Sequence, residues 1–263
     1  MKRILLVCLL LGGCAGRPAI DAQVPPFAKQ PYEEFSRSAA IAVATREWRV
    51  FGSPINDSQP NADDIFEDQA AQIKPERLQG LWQRVGEYWW LGMPNGEAEQ
   101  RWTGKHDAQG NEFPPQVDGR YAWSAAFISY VMRIAGAGAR FPYAASHSAY
   151  INIAARHNPQ YAIQAEDPAL YAPVPGDLIC LGRASAKAIR FTDLPAGEFP
   201  SHCDIVTDVQ PGALTVIGGN VQDAVTMKHV PVTDTGMIAT PDGAPVDTRY
   251  SWFVVVRVEY VVE

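Results

Sequence analysis

The sequence is short of basic runs, of cysteine and of long apolar stretches, and each shortage closes off a class of protein. Lys and Arg number 22 against 29 Asp and Glu, for a net charge of -7. A phosphate backbone is gripped by a concentrated basic face, and none occurs here, so no nucleic-acid partner is expected. The four cysteines include no CxxC pair and no His/Cys cluster, so neither a metal nor a cofactor is expected. Beyond the first residues no apolar run is long enough to cross a bilayer. There is no internal repeat and no low-complexity tract. What remains is 263 residues, 47% hydrophobic and 19% charged, the composition of one globular domain with appendages.

Lys2 and Arg3, followed by the apolar stretch Ile4 to Leu11, read as a targeting signal too short to span a membrane. Its end, "LLGGC", resembles a bacterial lipobox. That resemblance implies a signal peptide over residues 1–13, cleavage before Cys14 and acylation of Cys14; plain secretion with an incidental Cys14 is the alternative. Several acyl chains would anchor the protein stably. Ala15 rather than Asp follows the cysteine, which by the same rule points to the periplasmic side of the outer membrane. Residues 14–31, rich in Pro, Ala and Gln, form a tether.

Residues 32–117 read as a helical region. One helix is expected in "YEEFSRSAAIAVATREWRVFG", stopped by Gly52 and Pro54, and a second from Pro75, with Leu78, Leu81, Trp82, Val85 and Trp89 on one side. A loop rich in Gly, Pro and Asp then leads to residues 118–263. Here a central apolar helix begins near Ser124, with Phe127, Val131 and Ile134 on one face. Strand patterns follow in "GDLICLGR", "HCDIVTDV", "ALTVIGGNV", "AVTMKHVPV" and "WFVVVRVEYVV". Helices first and strands afterwards indicate an α+β fold with a mainly antiparallel sheet.

Ser124 stands where a hydroxyl either caps a helix or serves as a nucleophile favoured by the positive helix end. A serine nucleophile needs a base. His202 in "SHCDIV" is the candidate base, and Asn220 in "VIGGNV", after Gly218 and Gly219, is the candidate orienting group; Asp204, two residues from His202, is a rival orienter. His147 in "ASHSAYI" either lines the same cleft or makes a helix-start contact, and Tyr121 either donates to an oxyanion or packs. His106 and His157, in polar loop context, are read as having no catalytic role, and His229, in a strand, as structural. Cys203 alternates with His202 and so faces the other side of its strand, which argues against it as nucleophile. If the "DLICLG" and "HCDIV" strands pair as a hairpin, Cys180 and Cys203 form a bridge; two buried thiols are the alternative.

The run "WSAAFISYVMRIAG" resembles the "WCAAF" start of papain-like CHAP and NlpC-type cell-wall amidases and peptidases, and "PGDLICLG", "SHCDIV" and "VIGGNV" follow in their order. With "FPYAASHSAYI" included, the chain most resembles a group of uncharacterised bacterial lipoproteins with a C-terminal domain of unknown function. The resemblance implies a papain-like core over residues 118–263, with a central helix on an antiparallel sheet or small barrel. It puts Ser124 in the position of the cysteine nucleophile, His202 as base and Asn220 as orienter, with Tyr121, Trp123, His147 and Asp204 as candidate binding residues. The implied substrate is peptidoglycan or a cell-wall peptide, and the implied activity an amidase or peptidase. Serine in place of cysteine keeps open a second outcome, an inactive derivative that binds peptidoglycan or an envelope protein.

Overall fold

The computed structural model describes residues 33–58 and 74–263. The signal peptide, the tether and Cys14 lie outside the described residues. The described residues belong to one compact unit.

Among the described residues there are four α-helices: α1 (Arg37–Val50), α2 (Leu81–Gly92), α3 (Ser124–Ile134) and α4 (His147–Ala155). Ser36 caps α1 by accepting from the Ala39 amide at 3.2 Å, and the helix buries Ala40, Val43, Ala44 and Glu47. The second expected helix does not run unbroken from Pro75. Pro75–Arg77 is a single 3-10 turn, and α2 starts only after Gly80, whose φ of 90° interrupts the helical path. Leu78 falls in that break and is exposed, so it does not extend the apolar face. At the other end of α2, a Cβ on Gly92 would lie 2.5 Å from the Ala126 carbonyl oxygen, so glycine is what lets α2 approach α3 so closely.

The sheet has six strands: β1 (Ile163–Glu166), β2 (Leu178–Gly182), β3 (Ser201–Gln210), β4 (Ala213–Val221), β5 (Ala224–Pro231) and β6 (Trp252–Val258). Their order is β1-β6-β2-β3-β4-β5 and every neighbouring pair is antiparallel. The five expected strands are present. The sixth, β1, is an edge strand of four residues, too short for its alternation to stand out. Strand β2 is buried along its whole length, because Leu178 and Cys180 join the core shared with the helices while Ile179 and Leu181 join a second cluster with Val206, Val216 and Trp252.

Helix α3 is the centre of the larger core. Phe127, Ile128, Val131 and Met132 are fully buried, and a side chain of that size contributes about 1.5–3 kcal/mol when removed from water. Cys180 and Cys203 are register partners across β2 and β3 and form a disulfide, with Cα atoms 4.1 Å apart. Among the described residues no helix is long and apolar enough to cross a membrane.

Candidate active site

A cleft of about 1270 Å³ opens where the start of α3, the start of α4 and strands β3, β4 and β5 meet; Ser124, His147, His202, Asn220, Glu76 and Lys228 are among its lining residues. Trp123 occupies the N-cap position of α3, which makes Ser124 the first helical residue. The serine is therefore not the cap. Its hydroxyl, buried but facing the cleft, is free for another partner.

That partner is His147, the first residue of α4: its Nε2 lies 2.7 Å from Ser124 Oγ. The other ring nitrogen, Nδ1, is hydrogen-bonded to the Tyr150 hydroxyl one helical turn on. Burial holds the His147 imidazole well below its ordinary pKa, with His202 pushing the same way and Asp204 opposing. Burial likewise pushes the Tyr150 hydroxyl well up. Both shifts favour the neutral forms.

His202 sits on β3 with its ring centroid 5.3 Å from that of His147. Its Nε2 lies 2.7 Å from Asp204 Oδ1, and Lys228 Nζ reaches Asp204 Oδ2 at 2.6 Å. The sheet register explains the triplet. Val216 of β4 pairs with Val206 on one side and Lys228 on the other, and directly opposed residues share a face with those two positions away. Asp204, two before Val206, is therefore on the face of Lys228. Burial alone would raise the Asp204 carboxyl, but the Lys228 ammonium and His202 hold it well below the usual carboxylate range. Burial lowers the His202 imidazole against the pull of Asp204. A neutral His202 that donates Nε2–H to Asp204 carries a bare lone pair on Nδ1, and that atom is buried without a partner among the described residues.

The orienting hydrogen bond assigned in sequence to Asn220 belongs to Asp204. Asn220 lines the cleft at the bulge between Gly218 and Val221, with φ at 55°, a left-handed conformation that asparagine tolerates. The two glycines before it have a steric task. A Cβ on Gly218 would fall 1.7 Å from Asp204 Oδ1, and one on Gly219 would fall 2.6 Å from Phe127 Cβ.

Two candidate binding residues belong to packing. Tyr121 is stacked on Phe113 at 3.9 Å and edge-on to Trp102 at 4.8 Å. Trp123 is buried between Phe51 and Tyr88, and its Nε1 donates to Glu76 Oε2 at 2.5 Å. Burial, then repulsion from Asp223, raises the Glu76 carboxyl from 4.5 to about 8. His106 bonds Thr103, and His229 bonds Asp57. Among the described residues no group of three His, Cys, Asp or Glu side chains is placed to hold a metal ion.

Sequence reasoning passed over Tyr150, Glu76 and Lys228. The signal for Lys228 was a single cation at the parity of Ala224, Thr226 and Val230, three buried neighbours in β5. Tyr150 and Glu76 carried no signal beyond their polar tips.

A family model described as an uncharacterized protein conserved in bacteria (DUF2272) matches residues 76–258. Neither a curated protein nor a solved structure matches the chain.

Proposed function

The chain belongs to the DUF2272 family of bacterial proteins, and we propose that it is a cell-envelope hydrolase with a papain-like core, an amidase or peptidase acting on peptidoglycan stem peptides. The observation that carries the reading is His202, which lines the same cleft as Ser124, is held by Asp204 through Nε2, and has its Nδ1 buried without a hydrogen-bond partner among the described residues.

In this reading Ser124 Oγ attacks the amide carbonyl while its proton passes to His202 Nδ1. The imidazolium so formed is stabilised by Asp204, which an uncharged Asn220 could do only weakly. His147 is the poorer base, because its Nδ1 faces a phenol and, among the described residues, no carboxylate is hydrogen-bonded to it. The first amides of α3 have no intrahelical acceptor and stand ready for the oxyanion. His202 then protonates the leaving amine, the C–N bond breaks, and a water activated by His202 hydrolyses the acyl-serine. Lipid on Cys14 holds the enzyme at the periplasmic face of the outer membrane.

One observation favours a second reading, a binding protein with a disabled cleft: Ser124 hydrogen-bonds to His147 and makes no hydrogen bond to His202. The test is full-length protein in detergent with purified peptidoglycan, its products read by mass spectrometry beside Ser124→Ala and Ser124→Cys. New muropeptides from the wild type and none from Ser124→Ala are expected. Release that persists in Ser124→Ala overturns the mechanism, and activity confined to Ser124→Cys supports the disabled cleft.

A further inference from the structure

We propose that His147 is a positioning residue that donates its Nε2–H to Ser124 Oγ, with Tyr150 selecting that tautomer, so that the serine's own proton is left for His202. The inference rests on the hydrolase reading for its catalytic meaning, but the direction of the hydrogen bonds follows from the contacts and burial of His147 and Tyr150.

The argument is an accounting of donors. A neutral imidazole has one N–H and one bare nitrogen, so His147 donates to one neighbour and accepts from the other. The Tyr150 hydroxyl is fully buried, and His147 Nδ1 is its hydrogen-bond partner among the described residues. If Nδ1 carried the proton, the Tyr150 O–H would point at no acceptor, and an orphaned buried donor costs about 1–3 kcal/mol. With the phenol donating to Nδ1, the fully buried hydroxyl is satisfied and Nε2–H is left to donate to Ser124 Oγ, so the proton without an acceptor is the one on the serine, which lines the cleft. The serine then has one remaining proton and no acceptor for it on the His147 side.

The other end of the chain has the complementary lack. Asp204 accepts from Lys228 and from His202 Nε2, which leaves His202 Nδ1 as an acceptor without a donor. One unassigned proton and one unassigned lone pair thus belong to a serine and a histidine that line the same cleft and both contact the His147 ring. One order runs from Tyr150 to His147 to Ser124 and a second from His202 to Asp204 and Lys228; the proton transfer proposed for the reaction would join them. A donor fixed on Oγ also stabilises the negative charge that develops there, which a hydroxyl needs more than a thiol does.

The test uses the full chain with ¹⁵N-labelled histidine, with long-range ¹H–¹⁵N spectra assigned by a His147→Gln variant. At pH 7 the expected result is a protonated Nε2 and a bare Nδ1 on His147. A protonated Nδ1 overturns the inference. Tyr150→Phe removes the phenol and is expected to shift His147 toward the Nδ1–H form, a change that a merely space-filling tyrosine would not cause. Turnover should fall about tenfold with KM little changed, the scale of one neutral hydrogen bond. If His147 carries Nε2–H while Ser124→Ala still cleaves, the hydrolase mechanism fails and the hydrogen-bond order stands. If Ser124→Ala is dead and His147 carries Nδ1–H, the reverse holds.

Discussion

Asp204 divides its two carboxylate oxygens between His202 Nε2 at 2.7 Å and Lys228 Nζ at 2.6 Å, all three side chains being buried. Removing one member leaves an uncompensated buried charge. Lys228→Met is expected to destabilise the fold by about 3–5 kcal/mol, read as a lower urea midpoint. In the same variant the His202 pKa should rise, because the ammonium that opposes its protonation is gone while Asp204 remains. A histidine NMR titration that shows no rise would mean that Lys228 does not act on His202.

Gly218 allows β4 to pass over that pair. Because a Cβ there would fall 1.7 Å from Asp204 Oδ1 and 3.0 Å from His202 Nε2, Gly218→Ala must displace either the strand or the carboxylate. We expect a loss of about 3 kcal/mol or more. Gly197→Ala, where a Cβ meets nothing within 4 Å, is the control and should melt within a few degrees of the wild type.

Glu76 makes stability depend on pH in the opposite sense from an ion-paired carboxylate. Its folded-state value is about 8 against an ordinary 4.5. Between these values the folded chain holds a proton that the unfolded chain has released, so stability falls as pH rises through the window. Glu76→Gln keeps an oxygen for the Trp123 N–H and cannot ionise. It should flatten the melting temperature between pH 5 and 8 relative to wild type, measured by calorimetry. An equally steep profile in the variant would assign the dependence to other groups.

The disulfide closes a sequence separation of 23 residues. Replacing both Cys180 and Cys203 by alanine should cost about 3 kcal/mol, mainly by freeing the unfolded chain. Because Cys203 lies between His202 and Asp204, the urea midpoint should be read together with the His202 signals. Unchanged signals in a less stable fold would separate stabilisation from positioning.

Much of this molecule is written in local patterns. The apolar run after Ser124, the alternation in "HCDIV" and the conditional pairing of Cys180 with Cys203 come from periods of 3.6 and 2 that the chain itself carries. The break before α2 was harder to see, since Gly80 sits inside an otherwise helical pattern and only its positive φ shows that the path is interrupted.

By itself, then, the sequence determined the longer helices, five of the six strands and their order, and Ser124, His147 and His202 as candidates for the cleft, because periodic patterns depend on neighbours a few positions apart. Tertiary structure decided the partnerships. Asp204 rather than Asn220 holds His202, Lys228 holds Asp204, and His147 holds Ser124. Each of these contacts depends on strand register or on the meeting of two helix ends, and a hydrogen bond changes hands when either shifts by a single residue.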